Sequence, residues 1–366
     1  MAIRIVRTQV SVKSTPMPRE IQPMKAVLVD EPFDREGWIF ENKWDGIRAI
    51  AFIKNGAYRL VSRNQKEMTA RYPELVDLSN RVKAASAILD GEIVVINARG
   101  NVDFHQLASR FGVTDASEIA RLERTQTVIY YLFDLLYLDG RNLMHLPLLE
   151  RKALLKKFVR PTKLVQLTPH IETKGIQFFK KVERAHGEGM IAKRADSTYQ
   201  ERRSNGWLKV KTQMRQEVVI VGYSDPRGSR KRFGALELGL YQNGVLRSIG
   251  QVGTGFSFKL LDELYAKMKP LETTTPTIRD GKRRNDVHWI KPKLVCEVRF
   301  SEFTPDGNLR HPAFLGLRAD KKPEECKYEI PKHVASPSFA KSIVTKKRTS
   351  KEPTKSTALE RLIKKN

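Results

Sequence analysis

Up to about residue 215 the chain is mostly short β-forming stretches, interrupted by segments with helical spacing. Residues 41–45 and 47–53 read as strands. Residues 57–61 read as the hairpin partner of the second, across Asn55-Gly56, a pair suited to a tight turn. Residues 75–84 carry apolar positions at helical spacing. Residues 88–96 and 128–138 are rich in β-branched, aliphatic and aromatic side chains and predict strands. Residues 148–158 predict a helix with its Lys and Arg side chains on the outer face.

From Glu217 onward the rhythm changes. Residues 217–223, 235–241 and 244–252 predict short strands split by Gly-containing turns. Residues 256–268 predict an amphipathic helix, and 294–300 and 308–316 return to strand. About five short strands with one interposed helix suit a small barrel of the OB type. The fold class expected is therefore α+β, with antiparallel sheets and helices at 21–215 and an OB-fold β-barrel at 216–333, hinged between Lys211 and Glu217. Residues 1–20 read as a flexible lead. Residues 334–366, rich in Lys, Ser, Thr and Pro, read as a disordered basic tail, with 357–365 suited to a short helix on a partner. No internal repeat is present.

Length and composition fit this division. A chain of 366 residues with 40% hydrophobic content has room for two or three domains with sizeable cores. No unbroken apolar run is long enough to span a bilayer, and the N-terminus lacks the tripartite pattern of a secretory signal. The two cysteines, Cys296 and Cys326, lie far apart and match no zinc spacing. A reduced, cytoplasmic compartment is the expectation, at the nucleoid if the source is bacterial.

Charge adds a partner. The formal net charge is +26. Residues 337–366 hold nine Lys/Arg and two Asp/Glu, so +7 belongs to the tail and +19 to the body. A body this basic points to nucleic acid and to salt-dependent binding.

The candidate chemistry lies in six segments. Lys43-Trp44-Asp45-Gly46, with Arg48 after it, joins a lysine, an acid and a glycine turn. Lys43 and Asp45, two apart on the predicted strand, would face the same way. A nucleophilic lysine needs its pKa lowered by nearby cations or by desolvation. The plain alternative is a surface strand end. Ser62-Arg63-Asn64 ends the next strand, and Arg48 and Arg63 have the forked donors that phosphates accept, or else are solvated charges. In Leu89-Asp90-Gly91-Glu92 two carboxylates sit on one face of a β-forming run, for a ligand, a metal or an ion pair. Phe133, in an aromatic strand, suits purine stacking or core packing. Glu188, between two glycines, suits a hard metal or is a loop acid. Lys209 and Lys211 share one face of an alternating strand, a repulsive pair that a phosphate would relieve, or an edge-protecting one. His105, His145, His186 and His288 form no metal-ligand spacing and read as packing or surface residues. No Gly-x-Gly-x-x-Gly or Walker-type loop is present, so any ATP is bound without a P-loop.

Taken in order, these segments resemble the ATP-dependent DNA ligases of the covalent nucleotidyltransferase superfamily, and most of all the ligase domain of bacterial ligase D-type end-joining enzymes. The resemblance runs from about Met24 to Pro331. It includes Tyr131-Leu132-Phe133-Asp134-Leu135, Lys193-Arg194-Ala195-Asp196-Ser197 and the stretch from Leu309-Arg310-His311-Pro312 to Arg318-Ala319-Asp320-Lys321. It implies an adenylation (nucleotidyltransferase) domain followed by the barrel. It also implies a catalytic set of Lys43, Asp45, Lys209 and Lys211, with Lys43 taking AMP as a phosphoramide. Glu41 would lie by the adenine, Phe133 would stack on it and Glu92 would hold the ribose. Arg48 and Arg63 would meet the nucleotide or the nick 5′-phosphate. Lys193, Lys209 and Lys211 would hold phosphates. Arg318, Asp320 and Lys321 would orient the departing pyrophosphate. Glu92 and Glu188 would serve Mg²⁺ (or Mn²⁺), with ATP as co-substrate.

The partners so implied are nicked double-stranded DNA and, by analogy, a Ku-type end-binding protein. A monomer without membrane attachment is expected. The polymerase and 3′-end-processing domains of the multifunctional enzymes have no room here, so a dedicated end-joining role stays open. Two rivals also stay open: an RNA ligase or GTP-using capping enzyme of the same superfamily, and a non-catalytic basic DNA-binding scaffold.

Overall fold

In the computed structural model the described residues are 14–334 without 98, 99, 227, 229, 280–283 and 330. The expected tail from 335 onward and the first thirteen residues of the expected lead lie outside them.

Two sheets build the N-terminal body. The long β-forming runs make one of them, in the order Ala57–Ser62, Ile47–Lys54, Ser86–Ile96, Thr127–Leu138 and Arg141–Asn142, with Val165–Leu167 pairing in parallel with Thr127–Leu138. Asn55 and Gly56 both take positive φ, closing the expected hairpin. The second sheet runs Lys25–Leu28, Arg203–Lys211, Gly189–Arg194, Trp38–Asn42 and His170–Glu172. Ile50, Phe52, Val61, Ile88, Phe133 and Leu136 from the first meet Met24, Tyr199 and Trp207 at the second. The opposite face of the first sheet buries its residues against Phe104, Leu107, Leu154 and Phe158 of helices. Phe178 and Phe179 of helix Gly175–Arg184 pack partly buried on the far side of the second.

The C-terminal body is a six-stranded sheet in the order Val245–Val252, Leu236–Gln242, Met214–Ser224, Val287–Phe300 and Glu272–Thr273, with Ala313–Leu317 paired to Val287–Phe300. Helix Phe258–Met268 is capped by the Ser257 hydroxyl, and its Leu261, Leu264 and Met268 join the barrel core. Among the described residues no helix is long and apolar enough to cross a membrane.

Several expectations need correcting. The strand expected at 41–45 is Trp38–Asn42, so Lys43 and Asp45 lie on the irregular loop after it. Residues 75–84 do not form an α-helix. Instead Pro73–Arg81 is a 3₁₀ helix, whose buried Leu75 and Leu78 stand three apart, the spacing that a three-residue turn eclipses. Helix Leu148–Phe158 does not carry all its cations outward, because Arg151 is fully buried and Lys152 nearly so. Strand Val287–Phe300 starts earlier than expected, and the last strand is Ala313–Leu317 rather than 308–316. Helices Phe104–Phe111 and Ala116–Thr125 were not anticipated, although Asp103 and Asp115 cap them by accepting from Gln106 and Glu118 N–H at 3.1 and 2.9 Å. Residues 14–20, expected as flexible lead, are tied down: Thr15 N–H donates to Gly140 O at 2.7 Å, and Arg59 donates to Arg19 O at 2.7 Å.

Only residues 212 and 213 separate strand Arg203–Lys211 from strand Met214–Ser224, so 214–217 of the expected hinge is already strand. The two bodies touch around this link. Arg215 pairs with Asp45 at 2.6 Å, Asn64 donates to Asp320 O at 2.6 Å, and the Arg318 guanidinium lies 4.8 Å over the Phe104 ring. The chain then returns across the interface. Tyr241 N–H holds Cys326 O at 2.8 Å on the barrel side, and Lys332 N–H donates to Leu28 O at 3.0 Å on the other.

Candidate active site

The loop after strand Trp38–Asn42 is pinned at several points. Lys43 N–H donates to Gly189 O at 3.0 Å. Trp44 stacks on Tyr131 with ring centroids 3.7 Å apart and 10° between planes, and its indole N–H donates to Thr168 Oγ1 at 3.2 Å. A Cβ on Gly46 would lie 2.3 Å from Ile93 O, so only glycine lets the loop pass so close to the neighbouring strand. The fixed loop leaves Lys43, Trp44 and Asp45 on the wall of a cavity of about 490 Å³ between the two bodies, within the size range of ligand sites.

Lys43 Nζ is ion-paired with Glu188, which is buried. Burial pulls the Lys43 pKa down, but Glu188 and Asp45 outweigh it and the net direction is up. The lowered pKa expected of a nucleophile is therefore not found in this arrangement. Asp45 does not share a strand face with Lys43. It pairs with Arg215, and its carboxyl is pushed up to about 6 by burial and by Glu188 and Glu297.

Glu41 lies deep in the cavity, with one oxygen 2.6 Å from Lys152 Nζ and the other 2.6 Å from Lys193 Nζ. Burial works against its ionisation, yet the two ammonium groups hold its pKa below the usual value. Burial together with nearby Lys152 keeps the Lys193 pKa down despite Glu41. Phe133 is buried against the same cavity, with Lys193 Nζ 4.3 Å and the Arg48 guanidinium 4.6 Å from its ring centre.

Asp90 and Glu92 separate in role. Asp90 is fully buried in a bidentate pair with Arg48, at 2.5 and 2.6 Å, and Tyr199 donates to it at 2.7 Å. That is the ion-pair alternative. Glu92 has no such partner and lines the cavity, and burial pushes its carboxyl up to about 7.

The lysine pair holds a surprise for the sequence reading. A carboxylate, not an open gap, sits between them. Glu329 meets Lys209 Nζ at 2.9 and 2.7 Å and stands 3.9 Å from Lys211 Nζ, and Arg203 approaches it at 3.2 Å. Burial and Lys211 bring the Lys209 pKa down to about 8 although Glu329 opposes this, and the lysines hold Glu329 at about 2 against its burial. Arg63 lies 3.7 Å from Glu325, which also accepts from Asn64 at 2.9 Å. From the barrel, Arg318 is held by Asp320 and Glu297 at 2.8–2.9 Å, and Lys321 by Glu217 at 2.8 Å. All three line the cavity that Lys43 lines.

Apart from Asp90, which is taken up by Arg48, every residue named as a site candidate from the sequence thus borders this one cavity. The sequence reading missed Trp44, Lys152, Arg215, Glu217, Glu297, Glu325 and Glu329. Their sequence contexts resemble any surface charge or aromatic, and only the tertiary fold collects them. None of the four histidines lines the cavity. His288 stacks on Tyr223 and meets Asp225 at 2.8 Å at the barrel surface, and the side chain of His105 lies outside what is described. Cys296 and Cys326 are free and buried.

Among the described residues no cluster of three or more His, Cys, Asp or Glu would hold a metal by itself. Two carboxylates nonetheless fit one. The buried Glu188 Oε2 has no hydrogen-bond partner, and Glu92 is an unpaired carboxylate in the same cavity. Hard divalent ions take such oxygens and complete their shell with phosphates and water.

Residues 23–211 match the family model described as ATP dependent DNA ligase domain, and residues 229–321 match the ATP dependent DNA ligase C terminal region. The chain is 35% identical over 338 residues to the multifunctional non-homologous end joining protein LigD of Pseudomonas aeruginosa, covering 90% of this chain and 39% of that protein. It is 40% identical over 299 residues to the LigD of Mycobacterium bovis, covering 79% and 37%. The chain thus spans about two-fifths of the length of these curated relatives. Among solved structures, a mycobacterial DNA ligase D complexed with ATP and MES aligns with a TM-score of 0.57 at 34% identity, over 83% of this chain and 98% of that one.

Proposed function

The chain belongs to the ATP-dependent DNA ligase family, and from there we propose that it seals 5′-phosphate/3′-hydroxyl nicks in duplex DNA through a Lys43–AMP intermediate. The observation that carries this reading is the convergence on one cavity of Lys43 with its acids from one body and Arg318, Asp320 and Lys321 from the other.

The reaction has three displacements at phosphorus. The Lys43 nitrogen, having lost its proton, attacks the α-phosphate of ATP. A P–N bond forms as the P–O bond to pyrophosphate breaks. A 5′-phosphate oxygen of the nick then displaces Lys43 and takes AMP. Last, the 3′-hydroxyl attacks the 5′-phosphorus, its proton is lost, and AMP departs. Such chemistry needs placement and charge neutralisation more than unusual groups.

The residues divide that work. Glu41, held by Lys152 and Lys193, faces the adenine. Phe133 offers its ring to the base, and Glu92 reaches the ribose. Arg48 and Arg63 meet phosphate oxygens, and Lys193, Lys209 and Lys211 neutralise the phosphates. Glu188 keeps Lys43 charged and fixed until the nucleotide arrives, and Asp45 holds the loop through Arg215. Arg318, Asp320 and Lys321 orient the leaving pyrophosphate. Glu92 and Glu188 would hold Mg²⁺ or Mn²⁺, which when bound offsets the negative charge of the triphosphate and of Glu188. The closed barrel serves the first step and turns away, about residues 212–213, to admit DNA.

The protein works as a monomer in the cytoplasm on nicked duplex DNA, in repair or end joining. The relatives are named for non-homologous end joining, and a Ku-type end-binding partner is proposed by analogy with that process alone. The decisive test is incubation with α-labelled ATP and a divalent metal, followed by a nicked-duplex assay, with wild type and Lys43→Ala side by side. Label on wild type alone with sealed nicks is expected. Label on Lys43→Ala, or sealing without Lys43, would overturn the mechanism. Label from GTP, or sealing confined to RNA, would replace it with one of the rivals.

A further inference from the structure

Glu325 and Glu329 sit on the segment that leaves the barrel, and both carboxylates end among cations of the other body. Glu329 takes Lys209 at 2.7 Å and Arg203 at 3.2 Å, with Lys211 at 3.9 Å. Glu325 lies 3.7 Å from Arg63 and 3.9 Å from Lys25. Up to Glu329 the backbone of the segment is held to the barrel: Cys326 O accepts from Tyr241 N–H, Lys327 O accepts from the Gln216 side chain at 3.0 Å, and Glu329 N–H donates to Gln216 Oε1 at 3.4 Å, whereas at Lys332 the chain pairs with Leu28 and Asp30 of the other body. Its carboxylates therefore cover those cations while the barrel is closed, and a barrel that swings away withdraws them.

Five cations left bare around one cavity repel one another and attract polyanions. Carboxylates and phosphates accept the same forked and ammonium donors. The first step takes place with the barrel closed and the segment seated, so the nucleotide coexists with Glu325 and Glu329. DNA enters after they have left.

We propose that Lys25, Arg63, Arg203 and Lys209 form a DNA-phosphate subsite which Glu325 and Glu329 occupy as internal phosphate mimics in the closed enzyme, so that duplex DNA and the barrel's acidic segment compete for it. This rests on the DNA ligase reading and adds Lys25 and Arg203 to the DNA contacts. It gives DNA itself a part in keeping the enzyme open, since each phosphate that docks takes a place that an anchor of the closed state would refill.

The test is a binding titration of the full chain with a nicked duplex ending in a 3′-dideoxynucleotide, which cannot be sealed, over a range of sodium chloride concentrations. The proteins are wild type, Glu325→Gln/Glu329→Gln, Arg203→Gln, and the triple variant, each checked by melting temperature and by labelling with α-labelled ATP. Partly exposed ion pairs set the scale, so the double Glu→Gln protein should bind DNA about three- to tenfold more tightly, with a steeper salt dependence. Arg203→Gln should bind more weakly, and in its background the gain from the Gln substitutions should shrink.

Unchanged or weaker DNA binding by a double variant that melts normally would overturn the proposal. So would a gain that persists in full without Arg203, or a gain confined to ATP affinity. If the double variant is unstable, the Arg203→Gln protein still decides, because DNA affinity equal to wild type removes the subsite. Failure of labelling in wild type would strike the ligase reading instead.

Discussion

Replacing Arg151 by Met should destabilise the protein far more than an ordinary helix-surface substitution would. Arg151 and Asp134 are both fully buried, joined by two hydrogen bonds of 2.7 and 2.9 Å. Arg151 also donates to Leu146 O at 2.5 Å and Ser197 O at 2.9 Å, tying its helix to the loop before strand Arg203–Lys211. Methionine fills most of the volume but strands the Asp134 carboxylate, whose remaining partner is the Leu135 N–H at 3.0 Å. Breaking a buried pair in this way costs about 3–5 kcal/mol. For a body of this size that lowers the melting temperature by roughly 6–20 °C.

The magnitude is attributable because a second variant separates its sources. Arg151→Met/Asp134→Leu removes the stranded charge and leaves the two lost carbonyl contacts and the lost acceptor of Leu135 N–H, so it should still recover at least about 1–2 kcal/mol. The assay is thermal unfolding followed by tryptophan fluorescence, because Trp207 packs edge-on against Phe133 and Tyr199 beside this pair. The reasoning is refuted if the single substitution costs less than about 1 kcal/mol, or if the double variant is no more stable than the single one.

Other expectations follow from the same geometry. Trp44→Ala removes the stack on Tyr131, worth about 0.5–1.5 kcal/mol, and should slow Lys43 adenylation at saturating ATP by roughly two- to tenfold. Tyr131→Ala should do the same, and the double variant should be no worse, which a single-turnover labelling assay checks. Gly46→Ala forces a Cβ to 2.3 Å from Ile93 O and should cost about 1–3 kcal/mol along with most labelling activity. Burial sets the Lys209 pKa at about 8, so the ammonium is present below that pH and lost above it. The KM for ATP should therefore rise as pH passes about 8 in wild type but not in Lys209→Arg, whose guanidinium stays charged. Identical pH profiles would refute the assignment.

The sequence exposes some of this and hides the rest for physical reasons. Hairpin 47–62 was legible because Asn55-Gly56 is local turn chemistry. The barrel was legible because its short β-forming runs are split by turns that contain glycine. The segments lining the cavity were legible because each carries charge where a plain strand would not. What stayed hidden depends on partners far along the chain. Lys152 looks solvated on a helix rich in basic residues until strand Trp38–Asn42 brings Glu41 against it. Glu329 looks like an acid in a polar loop, and its 120-residue separation from Lys209 leaves no local trace. The 3₁₀ helix Pro73–Arg81 was misread because Leu75 and Leu78 satisfy both a 3.0 and a 3.6 period over so short a run.

The two-residue link between Lys211 and Met214 sets a mechanical limit on whatever the barrel does next. Three peptide steps span at most about 11 Å, and Thr212 is itself anchored, its hydroxyl donating to Gly187 O at 2.7 Å. A leash this short permits rotation but almost no translation. The barrel can present a different face to the cavity, yet its near end stays within a few side-chain lengths of Lys43. A duplex admitted between the two bodies would be gripped about a pivot rather than by two loosely joined halves. Lengthening the leash with a few glycines would convert that pivot into a tether and dilute the barrel around its own active site.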